Sequence, residues 1–498
     1  MDFSATANLK SRKPSDLLIL PFFILKGKVK AAADFNDSLA AFNIPIDAQD
    51  FKAGQGELQL LYVNHKQEKR ILMLGLGDGT SLTIEKLRCA YASAAKTCHS
   101  KKVKALSLLL PEISSLSPDD IVRGVTEGLL LANYSFTKNK HATIKEQPRN
   151  LIHSIALIGG NKSALSIAKK SKLVCQGVYA ARDLVNGNAD DITPQHLGAH
   201  AKQLAAQYPS IKTKILGLKE IRKEKMGLLL AVSRASAVDP AVIILEYRGN
   251  PASKKVVALV GKGITFDTGG LNLKPTGSME TMRSDMGGAA TVLGTLQAIA
   301  ALGLKVNVVG VIPSTENSIG SNSFKPGDVY LSYAGKSVEI GNTDAEGRLI
   351  LADAIAYTIK RYAPSQLIDI ATLTGAIHIA LGPEALGLFS NNDAMVEALD
   401  AAGNDTFERV WRMPLIREYR DSLKSDIADI KNIGMRGGSA IVAALFLEEF
   451  VGKLPWAHLD IASTAYYDEA RRYHPKLGTG FGVRLLVSYL SRQESKKL

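Results

Sequence analysis

The segment GNTDAEGRLILADA, residues 341–354, sets Asp344, Glu346 and Arg348 two positions apart, with Ala345 and Gly347 between them. An apolar run follows from Leu349. In an extended chain, residues two apart share a face, so this spacing predicts two carboxylates and a guanidinium aimed into one space. Paired carboxylates repel, and a cation between them relieves the repulsion. Acids also suit a helix start, and a capped helix with a local acid–arginine pair accounts for the stretch equally well. A second acid, Asp285, lies in MRSDMGGAATVLGTLQAIA ahead of Gly287 and Gly288, where it reads as an N-cap as readily as a ligand. A third stretch, VVALVGKGITFDTGGLNLKP at 256–275, carries Lys262, Asp267 and Lys274 beyond an apolar strand. It is not a P-loop, because Lys262 lacks the upstream glycine spacing and the following Ser or Thr. It is not a dinucleotide fingerprint either, because Phe266 stands where the last glycine would be. What remains is an acid and two lysines at the carboxyl end of a strand, where open α/β sheets bind ligands.

Together, Asp267, Asp285, Asp344 and Glu346, with Lys262, Lys274 and Arg348, form an oxygen-rich set suited to Mn²⁺, Zn²⁺ or Mg²⁺. Four carboxylates suffice to bridge two ions. No HExxH, G-x-S-x-G or cysteine–histidine signature competes with this set. His378 and His458 lie in apolar surroundings and read as core or surface residues.

These residues need a frame to hold them. In the first third, DLLILPFFIL, ELQLLYV, KRILMLGLG, KALSLLLP and SIALIGG read as strands, and 84–99 and 118–132 as helices. A long helix is predicted over 161–185, followed by the turn-rich NGNADDITP. Beyond it, AVIILEYRG, VVALVGKG, KVNVVGVIP, SVEIGN and QLIDIATLTG alternate with helices at 287–303, 349–362, 438–453 and 478–491. The expected fold class is α/β in two domains. Residues 1–165 form a smaller N-terminal α/β domain, 166–195 a linker helix and turn, and 196–498 a larger α/β/α catalytic domain with a central mixed sheet. The last residues, SRQESKKL, read as a polar tail.

Hydrophobic residues make up 46% of the 498, which suits a globular protein of more than one core. A formal charge of +13 predicts attraction to acidic partners, although the lysine clusters at 101–104, 138–140, 169–172 and 222–225 also suit a solvated surface. The three cysteines, Cys89, Cys98 and Cys175, form no CxxC pair, which excludes a thiolate zinc site or a disulfide framework and fits a reducing cytoplasm. The apolar run Leu17–Leu25 contains Pro21 and is followed at once by lysines, so a buried strand is expected rather than an export signal or a membrane span.

The motifs NTDAEGRL, VGKGITFDTGG, DMGGAA, LEYRGNP, KPGDVY, ATLTGA, WAHLDIA and GTGFGVRLL resemble, in type and order, those of the leucyl aminopeptidase (cytosol aminopeptidase) family over about residues 175–490. The resemblance implies a cytoplasmic homohexamer that removes N-terminal residues, such as leucine, from peptides with two divalent metal ions per subunit. It implies metal ligands at Lys262, Asp267, Asp285, Asp344 and Glu346. Asp267 and Glu346 would bridge, Lys262 and Asp285 would serve the more exchangeable ion, and Asp344 would serve both. It makes Lys274 and Arg348 catalytic, with a bicarbonate near Arg348 as proton shuttle. Met282, Thr372, Leu373, Gly375 and Ala462 are the expected substrate pocket. Ser463 stands where the family usually has glycine and is expected to alter selectivity there. Some bacterial members also bind DNA, which the basic surface would suit. A different dimetal hydrolase, such as a phosphatase, is disfavoured by the lysine-plus-acid ligand set.

Overall fold

The computed structural model describes residues 1–33, 50–146 and 149–495. Two compact units emerge, one of Met1–Cys175 with Glu469–Pro475 and one of Gln176–Asp468 with Lys476 onward. Their sheets are built from the short apolar runs of the sequence.

In the first unit the strands are β1 (Asp2–Thr6), β2 (Leu17–Leu25), β3 (Lys28–Ala31), β4 (Leu58–Tyr62), β5 (Arg70–Asp78), β6 (Ala105–Leu109) and β7 (Ser154–Ile158). Their order is β1-β7-β6-β2-β5-β4, with β3 beside β2. The first five in that order run parallel, while β4 and β3 pair antiparallel. The apolar N-terminal run is thus the inner strand β2, buried from Leu17 to Phe22. Helices Ile84–Ser100 and Pro118–Ala132 pack against this sheet through Leu87, Tyr91, Ala94, Val125 and Leu129. Both begin on side-chain caps, Thr83 accepting from the Lys86 amide and Ser117 from the Asp120 amide.

In the second unit the strands are β8 (Ile211–Leu216), β9 (Ala241–Arg248), β10 (Val257–Gly261), β11 (Gly263–Asp267), β12 (Asn307–Asn317), β13 (Val329–Leu331), β14 (Ser337–Glu339), β15 (Gln366–Ala371), β16 (Leu386–Ser390), β17 (Val410–Arg412), β18 (Ile430–Lys431), β19 (Trp456–Asp460), β20 (Tyr466–Tyr467) and β21 (Leu477–Gly478). The main sheet runs β17-β16-β19-β15-β10-β12-β9-β8, with β11 beside β12. Its centre, β19-β15-β10-β12, is parallel, and both edges contain antiparallel pairs, so the sheet is mixed. Central strands buried on both faces explain why VALVG and QLIDIA read as nearly continuous apolar runs. Helices Gly287–Leu302 and Val483–Ser495 pack together, and helices Glu346–Tyr362 and Ser439–Glu448 form a second packed pair. This is the two-domain α/β architecture the sequence predicts.

The final helix starts later than its pattern suggests. Gly480 and Gly482 adopt φ of +66° and +96°, which holds GTGFG in a turn until Val483. The helix then runs to Ser495, so the expected polar tail is helical over 491–495, while 496–498 lie outside the described residues. No helix among the described residues is long and apolar enough to cross a membrane.

Candidate active site

The parallel centre of the second sheet delivers the chemistry-bearing residues to one end. Lys262 occupies the junction between β10 and β11, its amide bonded to the Ile370 carbonyl at the end of β15 (3.1 Å). Its ammonium lies 2.8 Å from each oxygen of Asp285, 3.0 Å from Glu346 Oε1 and 2.8 Å from the Thr372 carbonyl. Asp267 ends β11. Its Oδ1 accepts from the Gly269 amide and from Asn317 Nδ2, both at 2.8 Å. Its Oδ2 meets the Lys274 ammonium at 2.8 Å, and that ammonium also reaches Asp344 at 2.6 Å. The oxygens of Asp267, Asp344 and Glu346 can all lie within 4.8 Å of one another.

The segment 341–348 reaches this place by a different local structure than alternation predicts. The helix begins at Glu346, with Ala345 as a cap that offers no side-chain bond, so Asp344, Glu346 and Arg348 do not lie along an extended strand. Asp344 sits in the turn before the helix, its amide bonded to Asn342 Oδ1 (2.7 Å). Glu346 opens the first turn, where the helix dipole favours a carboxylate. Gly347 is required by packing: a Cβ there would lie 2.7 Å from Lys262 Cε. Asp285 likewise does not cap. It lies in the 3₁₀ turn Met282–Met286, and its Oδ1 accepts from Thr372 Oγ1 (2.7 Å).

Two loops are locked around these groups by residues that carry no obvious sequence signal. Asn432 accepts from the amides of Gly341 and Asn342 (2.8 and 3.2 Å) and donates to the Asn342 carbonyl (2.7 Å). Its own carbonyl accepts from Arg348 (2.8 Å). Thr343 donates to the Gly269 carbonyl (2.7 Å) and accepts from the Asn272 amide (2.8 Å). These are ordinary polar residues in loops, and only the tertiary fold gives them a function.

The electrostatics follow from three buried acids and the more exposed Asp344 facing two lysines. Burial, reinforced by Glu346, pushes Asp267 up to about 6. Burial pushes Asp285 up to about 8 against the pull of Lys262. Burial raises Asp344 too, whereas for Glu346 it is outweighed by Lys262 and Lys274, which hold that carboxyl below its usual range. The acids raise both lysines despite burial, and burial lowers Arg348 to about 10 against Glu346 and Asp460. Arg348 Nε is buried without a hydrogen-bond partner among the described residues.

The cluster opens into a cavity of about 500 Å³. Met282, Thr372, Leu373, Gly375 and Ala462 all line it, as do Tyr466 and Asp468, which the sequence did not single out, and His378, which it read as a core or surface residue and which is exposed on the cavity wall. Ser463 does not line it: its side chain is buried and donates to the Ala385 carbonyl (3.0 Å). His458 is also wholly buried, 2.5 Å from Asp369.

An acid–lysine cluster at a strand-end cavity suits hydrolysis, and comparison with known proteins agrees. The catalytic domain of the cytosol aminopeptidase family matches residues 179–487, and the N-terminal domain of that family matches 19–143. A probable cytosol aminopeptidase of Protochlamydia amoebophila is 50% identical over 493 residues, 99% of each chain. One from Chlamydia caviae is 46% identical over 500 residues, again 99% of each. Among solved structures, a mutant tomato leucine aminopeptidase superposes with a TM-score of 0.87 at 32% identity, covering 99% of this chain and 96% of that one. The bottromycin maturation enzyme BotP in complex with Mn gives 0.85 at 31% identity, covering 96% of this chain and 100% of that one. With relatives matched from end to end and both domains recognised, the chain belongs to the cytosol aminopeptidase family and is an aminopeptidase.

Proposed function

We propose that this enzyme removes the N-terminal residue of peptides with two divalent metal ions held by Lys262, Asp267, Asp285, Asp344 and Glu346. The observation that carries this reading is the charge surplus: four acids converge on two ammonium groups at the mouth of a cavity. The donor set of carboxylate oxygens and one amine suits Mn²⁺ or Zn²⁺, and Mg²⁺ less well because of the nitrogen. When bound, two such ions supply an activated water, a polarised scissile carbonyl and an anchor for the free amine.

The chain's own residues do the rest. Lys262 can join such a shell only as the neutral amine, so it gives up the proton that Asp285 and Glu346 now stabilise. Lys274, tethered by Asp267 and Asp344, holds positive charge beside the space where the carbonyl oxygen becomes negative. Arg348, fixed through Asn432 with a free Nε donor, can hold a small anion such as bicarbonate to carry a proton. The walls around Met282, Leu373 and Ala462 receive the N-terminal side chain and exclude water from it. The test is to count metal per chain by atomic emission while following leucine release from leucine amide. Two ions per chain, activity lost on chelation and regained with Mn²⁺ or Zn²⁺, is the expected result. Full activity with one ion per chain, or in chelator, overturns it.

A second reading concerns partners. The first unit carries 27 Lys and Arg against 16 Asp and Glu, a net +11, while the second carries 34 against 32, a net +2. Lys101, Lys102, Lys104, Lys138, Lys140, Lys169 and Lys170 are exposed there. This segregation favours duplex DNA as a partner of the first unit, beside peptide hydrolysis by the second. Retardation of duplex DNA that weakens steeply with salt, and disappears when these lysines become glutamine, supports it. Retardation indifferent to both sinks it. Assembly into a homohexamer is part of the same proposal, and exposed Ile379, Trp411 and Ile427 are side chains such contacts would cover. Sedimentation as a monomer would contradict it.

A further inference from the structure

We propose that Asp460 is a positioning residue that fixes the width of the substrate pocket and thereby decides which N-terminal side chains are accepted. The inference rests on the aminopeptidase reading of this site. Asp460 is the last residue of β19 and is wholly buried. It lies in register with Ala371, the last residue of the parallel neighbour β15. Two chain segments leave these strand ends and both line the cavity, one through Thr372, Leu373 and Gly375 and the other through Ala462.

The Asp460 carboxylate holds both. Its Oδ1 accepts from the amides of Leu373 (3.1 Å), Thr374 (3.4 Å) and Ala462 (3.2 Å). Its Oδ2 accepts from Thr374 Oγ1 at 2.7 Å. Thr374 in turn accepts from the Ile377 amide (3.3 Å), which starts the helix Gly375–Leu381. One side chain therefore ties together two adjoining segments of the cavity wall. A carboxylate suits the task because it offers only acceptors, on two oxygens, to donors arriving from two directions. An asparagine would turn one NH₂ group toward those donors.

The loop is anchored separately at its other end. Thr372 donates to Asp285 and its carbonyl accepts from Lys262. Loosening the Asp460 end therefore moves Leu373 and Ala462 while Thr372 keeps its hold on the acid–lysine cluster. The consequence is a loss of selectivity through KM, with the chemical step retained.

The experiment is a panel of glycine, alanine, leucine and phenylalanine amides with the metal-loaded enzyme, comparing wild type, Asp460→Asn, Thr374→Val and Thr374→Ser. Metal content and thermal unfolding are recorded for each. In Asp460→Asn the preference in kcat/KM between the best and the smallest substrate should shrink about tenfold through KM, with kcat on alanine amide within about threefold. Thr374→Val should move the same way by less, and Thr374→Ser, which keeps the hydroxyl, should restore the wild-type profile. If Asp460→Asn does not fold, the Thr374 pair decides. An unchanged preference in the folded Asp460→Asn or in Thr374→Val overturns the proposal, as does an equal fall in kcat on every amide. Wild type inactive on all four amides would instead refute the aminopeptidase reading.

Discussion

The buried charge groups of the two units differ in where they sit. In the first, Arg12 meets both oxygens of Glu68 (2.5 and 2.8 Å) and also donates to the Leu9 carbonyl. Arg88 lies between Glu127 (2.7 Å) and Glu85 (3.3 Å), with the Tyr473 hydroxyl on Glu85. None of these charged side chains lines the cavity of that unit. In the second unit, Asp267, Asp285, Asp344 and Glu346 face Lys262 and Lys274 with negative charge left over, at the edge of a cavity. A charge group set away from a cavity is a fastener, whereas acids gathered on the wall of a cavity leave room for a further cation.

Cavity size teaches the opposite of what it suggests. The first unit holds the larger space, about 1020 Å³, lined by Leu9, Leu109, Ile113 and Val122 with Lys10, Glu112 and Asp119 among them. No buried acid–lysine cluster like that of the second unit is found on its walls among the described residues. The smaller cavity of about 500 Å³ is the one on which charged groups converge. Convergence of groups whose proton affinities are pushed apart marks a site better than volume does.

The contrast can be broken from either side. The largest effect is expected at Lys274→Ala, which removes the more exposed of the two lysines from between Asp267 and Asp344. Turnover of leucine amide should fall by about 10³-fold or more, the scale of losing a preorganised charge-stabilising donor, with the fold retained by circular dichroism. Turnover within a few fold of wild type would remove Lys274 from the chemistry. Arg88→Met should behave in the reverse sense. Taking the cation from between Glu85 and Glu127 should cost about 3–5 kcal/mol of the first unit's stability in urea, because buried acids lose their counter-charge. Turnover per folded molecule should stay at the wild-type level. A variant as stable as wild type would show that this group is no fastener.

How legible was this contrast in the sequence? The acids and lysines of the active site were visible because they sit beside glycines at the ends of apolar runs, where strand ends meet loops. Of the five pocket residues, Met282 lies near Asp285 and the others in ATLTGA and WAHLDIA, and the structure brings all of them to one cavity. The local geometry was misread at 344–348, since the two-residue alternation fits a strand as well as a turn followed by a helix start. Ser463, expected to alter selectivity because it stands where the family usually has glycine, is held instead on the Ala385 carbonyl and does not line the cavity. Asn432, Thr343 and Asp460 gave no signal of their role, since their partners lie up to 91 residues away and polar residues in loops have no periodicity. Pairs such as Arg12–Glu68 are equally silent, 56 residues apart.

A third kind of buried carboxylate refines the comparison. Asp353 has no exposure and accepts from the amides of Leu228, Leu229 and Tyr333 (2.9, 3.0 and 2.7 Å). Burial pushes it up to about 7, against those three amides. Its proton affinity is thus higher folded than unfolded, so its contribution to stability is complete below about pH 4 and is lost as pH rises through about 7. Chemical unfolding from pH 4 to 8, compared between wild type and Asp353→Asn, should show a steeper downward slope in wild type, by on the order of a few kcal/mol over the range. Equal slopes would mean that the amides hold this carboxylate ionised throughout.

The smallest effect is expected at Ser463, where a buried polar group carries no charge at all. Ser463→Gly deletes one hydrogen bond to the Ala385 carbonyl and adds backbone freedom at the end of β19. The loss should be about 1–2 kcal/mol in urea unfolding. Because the side chain does not reach the cavity, the ranking of leucine, alanine and phenylalanine amides should not change. A changed ranking would mean that Ala462 depends on its neighbour's tether as well as on Asp460, and would move the boundary between fastening and selecting one residue further along the chain.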